Sequence, residues 1–352
     1  MRLFTIFVLS FIFCCCTGCK EKKAIAKPDF VIGNGQIPDI VKDKSGVIHL
    51  VYGLGDSVMY TLSVDDGQSF SAPSVVAVLP AMYSFAMRGP QIAVNNAGVI
   101  ITACTKQGNI FSYYKDKGSW KQGARVNDID TVAKEGLMAL AADGENAFAV
   151  WLDVRGNERN KIYGARSTDG GKSWSQNIMV YTSPDTSVCP CCKPSVVMNG
   201  QNVYVMFRNW LQGNRDLYLT ESTNNGQTFS AAQKLGNRSW KLNACPMDGG
   251  GLAINKNGKV QTVWRREGNI FTAIPGIPEV EIGQGRNCSI ATVNNKNIFA
   301  WTDDQKVICM EAGGQKKVIG KGSLPVIKAL NDEHAICIWQ DDKQIHASVV
   351  AL

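Results

Sequence analysis

Histidine is scarce: His49, His334 and His346 are the only three in 352 residues. They sit in or beside apolar strand-like segments in different parts of the chain, and read as structural residues more readily than as ligands. No segment keeps a long 3.6-residue apolar period, which speaks against helices. Past residue 16 no apolar run is long enough to span a bilayer. Basic blocks are missing as well. Lysine and arginine outnumber aspartate and glutamate by 37 to 30, but the excess is spread thinly along the chain, which speaks against nucleic-acid binding.

What is present begins with a short basic start, Arg2, and an apolar run over residues 3–16, ending in Cys16-Thr17-Gly18-Cys19. The pattern resembles the lipobox of bacterial lipoproteins. It implies a signal peptide over 1–18, acylation of Cys19, and a lysine-rich flexible tether over 19–28 that anchors the chain to the cell envelope, at the outer membrane. An ordinary cleaved signal peptide is the alternative. Loss of residues 1–18 removes one arginine and leaves a formal charge of +6. Eight cysteines follow Cys19, in a compartment where disulfides persist.

A repeat decides the fold. Ser63-Val64-Asp65-Asp66-Gly67-Gln68-Ser69-Phe70 recurs as Ser167-Thr168-Asp169-Gly170-Gly171-Lys172-Ser173-Trp174 and again as Ser222-Thr223-Asn224-Asn225-Gly226-Gln227-Thr228-Phe229. A worn copy is Asp116-Lys117-Gly118-Ser119-Trp120. Asp or Asn can bond the turn's own amides, Gly accepts positive φ, and the closing aromatic packs beneath the hairpin. These octapeptides resemble the Asp-boxes of the sialidase and BNR-repeat superfamily, which implies an all-β propeller of four-stranded blades.

Around each box runs the same order of an inner strand, an apolar second strand, a third strand, a turn and a fourth strand. The second strands recur at 47–52, 99–104, 147–151, 203–207, 260–264, 298–301 and 335–339. Seven blades follow, in a single domain over 29–352, whereas the family resembled implies six. The last unit lacks its fourth strand, and segment 30–33 is expected to supply it, so that no raw sheet edge is left between the termini.

Loops leading into inner strands and those following second strands share one face of a propeller. Arg88, Arg155, Arg208, Arg265 and Arg286 are expected there, around a central funnel suited to an anionic or polyhydroxylated ligand. Asp153 and Glu135 are the candidate acid and base. The resemblance to sialidases implies a substrate-binding arginine before Ile-Pro, but this chain has Gln36-Ile37-Pro38. It also implies a late tyrosine nucleophile, yet the last tyrosine is Tyr218. The leading reading is therefore a propeller that binds a glycan, anionic molecule, metal or protein partner without classical sialidase catalysis. The alternative is an exo-sialidase or related glycoside hydrolase acting on acidic sugars.

Cys189-Pro190-Cys191-Cys192 precedes the fourth inner strand and Cys245-Pro246 the fifth. The pairing resembles a subgroup of sialidase-like bacterial proteins with no established reaction. Two readings stand: disulfides tying the loops together, or a thiolate site formed by Cys189, Cys191, Cys192 and Cys245 for Cu(I) or Zn(II). Cys104, Cys309 and Cys337 lie in apolar strands and read as core residues.

Overall fold

The computed structural model describes residues 26–185 and 187–352. The signal segment, Cys19 and most of the tether lie outside the described residues. Among those described there is no helix; the chain forms antiparallel sheets arranged as seven blades. The inner strands are Gln36–Lys42, Gln91–Asn95, Met138–Asp143, Ser195–Asn199, Gly250–Ile254, Arg286–Val293 and Ser323–Ala329. Each packs against the next, and the seventh against the first, closing a ring. The blade number is that of the sequence count, not the six that the family resemblance implies.

The second strands form the buried heart of each blade because they are apolar on both faces. His334–Asp341 carries Trp339, and Lys296–Asp303 carries Trp301; both indoles are fully buried. A Gly-x-Gly pair seats each ring. A Cβ on Gly320 or Gly322 would meet Trp339 at 2.2 or 2.7 Å, and Gly283 and Gly285 bear the same relation to Trp301. Gly35 does so for Tyr52.

The Asp-boxes form as their sequences dictate. Ser63 Oγ donates to Asp65 Oδ1 (2.7 Å), Ser69 N donates to the same oxygen (2.9 Å), and Gly67 N donates to Ser63 Oγ (3.0 Å). The boxes at Ser167 and Ser222 repeat this network. The worn copy is instead a two-residue hairpin turn at Lys117 and Gly118, both with positive φ, joining Ile110–Asp116 to Ser119–Arg125. Trp120 still packs between blades, edge-on to Tyr60 at 5.0 Å.

The last blade is completed from the other end of the chain. Lys27–Asn34 pairs antiparallel with Gln344–Ala351. It begins two residues inside the segment that the sequence reads as tether. In the fourth blade the second strand, Asn202–Trp210, is unusually long, and its end pairs with an extra short strand, Ser187–Val188. That extra pairing pins the segment leading to Cys189.

Candidate functional site

Three inner strands begin with the same irregularity. The register slips between Gln36 and Asp39, between Arg286 and Ser289, and between Ser323 and Val326. In each bulge the second residue has positive φ: Ile37 (53°), Asn287 (54°) and Leu324 (57°). For a β-branched residue such as Ile37 this conformation is costly, and bulges of this kind re-aim side chains. The residue before the bulge stays outside, as Arg286 does, while the bulged residue turns toward the axis.

The axis is accordingly not the arginine-rich funnel expected from sequence. Ile37, Leu324, Asn287 and Met87 line its mouth, and Asn287 Nδ2 reaches Met87 Sδ at 3.7 Å. Below them lies a channel of about 190 Å³. It carries two lysines that the sequence did not single out, Lys193 and Lys328. Lys193 has no hydrogen-bond or ion-pair partner among the described residues, and burial holds its ammonium below the ordinary 10.5. Asp39 is a counter-charge acting on it, but that carboxylate already accepts from the amides of Ile40 and Ile92 (both 3.0 Å).

The five arginines do not form one cluster, and four of them are held by protein groups. Arg88 donates through Nε to the Glu135 carbonyl (2.6 Å) and lies 3.5 Å from its carboxylate. Arg155 lies flat on Tyr163, with its guanidinium 4.1 Å from the ring, and forks onto Asp153 through Nε (2.9 Å) and Nη2 (2.8 Å). Arg208 is buried and donates to the carbonyls of Arg215 (2.7 Å) and Arg265 (2.9 Å). Trp240 lies between Arg208 and Arg265, 5.4 and 5.6 Å from their guanidinium carbons. Arg265 in turn sits 3.9 Å from Asp248, a fully buried carboxylate whose pKa burial raises, against the pull of Arg208 and Arg265.

Asp153 and Glu135, the expected acid and base, do not meet. Asp153 is 0% exposed and accepts from Trp151 Nε1 (2.8 Å) as well as from Arg155. With no lone pair facing solvent, it acts as a structural anchor. Glu135 belongs to a separate pair with Arg88. Tyr218 stacks on Phe207 inside the fourth blade.

Only Arg265 and Arg286 share a cavity. It is an open pocket of about 510 Å³ between the fifth and sixth blades, where Asn269, Gln284, Gln305 and Asp303 also project. Arg286 is exposed and has no carboxylate or carbonyl partner among the described residues. The amides of this pocket were missed from sequence because they come from hairpin turns and strand ends that carry no motif.

The cysteines divide. Cys189, Cys191 and Cys192 are buried together, and their three sulfurs can reach one ion; Cys245 is exposed and outside the cluster. The expected four-cysteine site is therefore reduced to three. The Cys189 pKa is held low by hydrogen bonding with Cys191 and Cys192, and by Arg208 and Arg215, against the effect of burial. Cys191 is pushed up by its two sulfur neighbours, and Cys192, mainly by burial, to about 12. Cys104, Cys309 and Cys337 are buried core residues, as expected.

The architecture defines a seven-bladed β-propeller. No family model matches the chain. Among solved structures the fold is similar to an ulvan lyase of polysaccharide lyase family PL25 (TM-score 0.54, 10% identity, 93% of this chain and 96% of that one). It is similar also to a protein of unknown function from Dyadobacter fermentans (0.53, 14%, 92% and 98%) and to the NanB sialidase of Streptococcus pneumoniae (0.50, 12%, 92% and 70%). At these identities the likeness is one of fold.

Proposed function

We propose that this chain is a glycan-binding propeller, displayed on the bacterial outer membrane through a lipid on Cys19, which holds an acidic saccharide in the pocket between its fifth and sixth blades without hydrolysing it. The observation that carries this reading is Arg286: an exposed guanidinium with no protein partner among the described residues, facing a polar pocket. A guanidinium forks onto a carboxylate, and side-chain amides both donate to and accept from sugar hydroxyls. Fold neighbours that act on polysaccharide or are sialidases are compatible with such a ligand. The burial of Asp153 and the pairing of Glu135 argue against the hydrolytic machinery expected of them.

The second reading is a hydrolase of acidic sugars, and it draws on the carboxylates of Glu267, Asp303 and Asp304 lining the same pocket. Titration calorimetry of the soluble protein, starting at Lys20, with sialyllactose and oligouronates separates the two when paired with chromatography of the sugars. Binding without product, weakened about tenfold or more by Arg286→Ala, supports the first reading; the charged contact removed is worth about 1.5–3 kcal/mol. Product formation lost in Asp303→Asn supports the second. Absence of binding to any acidic saccharide defeats both.

A further inference from the structure

Three thiols converge where the chain enters the fourth blade, away from the Arg286 pocket. Cys189 follows the short strand Ser187–Val188, and Cys191 and Cys192 occupy the turn after it. Cys189 Sγ lies 3.6 Å from Cys191 Sγ and 3.5 Å from Cys192 Sγ. Two thiolates sharing one metal, at bonds of about 2.3 Å, sit roughly 3.8–4.0 Å apart. These two separations are within about half an ångström of that spacing, and all three sulfurs lie within 4.8 Å of one another.

We propose that Cys189, Cys191 and Cys192 form a three-coordinate site for copper(I). The donor set is sulfur alone, which selects soft ions. Among the described residues no fourth cysteine, histidine or carboxylate joins the cluster. Structural zinc takes four protein ligands, so here it would be one short, in a position buried from water. Charge points the same way. Copper(I) with three thiolates carries −2, and two buried guanidiniums stand beside it. Arg215 Nη1 donates to Cys189 Sγ at 3.1 Å. Arg208 Nη1 donates to the Arg215 carbonyl at 2.7 Å, and the backbone N–H of Cys189 donates to the Arg208 carbonyl at 2.9 Å. Arg208 acts on both Cys189 and the buried Asp248, which also has Arg265 at 3.9 Å, while Arg215 contacts Cys189 directly.

The supporting shell is rigid. Arg215 Nε donates to the Leu242 carbonyl (3.1 Å), and its guanidinium carbon lies 4.4 Å from the Trp210 ring centroid. Outer groups held in this way orient ligands and tune affinity. Cys191, at 8% exposure, is the most open of the three. On binding, each Cu–S bond replaces an S–H bond or takes up an existing thiolate; the displaced protons pass to solvent and no electron is transferred.

The test is an anaerobic titration of the reduced protein, from Lys20, with copper(I) against a coloured copper(I) chelator. One equivalent per chain should be withheld from the chelator. X-ray absorption of the wild-type complex should show sulfur scatterers only, in three-coordination, a measurement that needs no variant. Cys189→Ser, Cys191→Ser and Cys192→Ser should each weaken retention at least tenfold with the circular dichroism spectrum unchanged, and Cys245→Ser should retain a full equivalent. The proposal is overturned if the reduced wild type leaves all copper with the chelator, if zinc(II) displaces the bound copper, or if Cys245→Ser loses the metal.

Discussion

Asn287 Nδ2 and Met87 Sδ, 200 residues apart in sequence, meet at 3.7 Å across the axis. The contact narrows the mouth of the channel, which Lys193 also lines. Met87 also belongs to a buried cluster with Leu137, Phe148 and Leu152. Met87→Ala should destabilise the fold by about 2–5 kcal/mol. It should also open the channel. Burial lowers the Lys193 pKa below that of an ordinary lysine. Peptide mapping after treatment with an amine-acylating reagent should show Lys193 labelled faster in the variant than in the wild type; equal rates would mean that Met87 does not narrow the mouth.

The Asp-boxes make stability depend on acidity. Burial pushes the Asp169 carboxyl up, but hydrogen bonds from Ser173 and Ser167 outweigh it and hold the group below its ordinary 3.8. Asp65 behaves alike, through Ser69 and Ser63. A carboxylate depressed in the folded state contributes stability that is present above its unfolded pKa and is lost as pH falls through the folded value. Thermal melts should therefore fall steeply below about pH 4, near the unfolded value. Asp169→Asn, which cannot titrate, should melt lower than wild type at neutral pH and lose less on acidification. Parallel pH profiles for the two proteins would contradict the assignment.

Asp153 provides a test of structure against catalysis. Asp153→Ala leaves the Trp151 N–H unpartnered and takes from Arg155 one of its two carboxylates, with Asp128 (3.0 Å) and Asn177 (2.9 Å) remaining. Leaving a buried donor unsatisfied costs about 1–3 kcal/mol. Denaturant unfolding should show a loss of that size, while saccharide binding by the folded fraction should stay unchanged.

Two glycines of positive φ should respond differently to alanine. At Gly322 a Cβ would lie 2.2 Å from the Gln340 carbonyl oxygen, whereas at Gly118 it would meet open space. Gly118→Ala should cost about 1 kcal/mol, from the backbone alone. Gly322→Ala should cost several times more, since Trp339 and the bulge at Leu324 must both shift. Melting temperatures of the two variants provide the comparison.

Most of the architecture was legible because it is written in local chemistry. Second strands such as that holding Ile338 and Trp339 are apolar on both faces, and the Asp-box at Asp65 bonds its own backbone. The closing strand was legible by counting, since the last unit ran out after its third strand. The site was less legible for a physical reason. Arg88, Arg208 and Arg265 are held by the carbonyls of Glu135, Arg215 and Pro246, and a sequence does not show where its carbonyls point. Cys245 was grouped with the other cysteines by the order of blades, but it is exposed and outside their cluster. One available signal went unread: the spacing of Gly33 and Gly35, Gly283 and Gly285, and Gly320 and Gly322 marks where each chain crossing rides over an aromatic ring.

The seam between Lys27–Asn34 and Gln344–Ala351 is tied by backbone pairing and by His346 Nδ1 against Asp29 Oδ1 at 2.6 Å, between residues 317 apart. A chain made or exported from its N-terminus must carry that first strand unpaired until the last one arrives. Blades can form in sequence as they emerge, but the circle locks only at the end. The earliest segment to appear is thus the last to be satisfied, and any pull applied ahead of Lys27 bears directly on the latch that holds the ring shut.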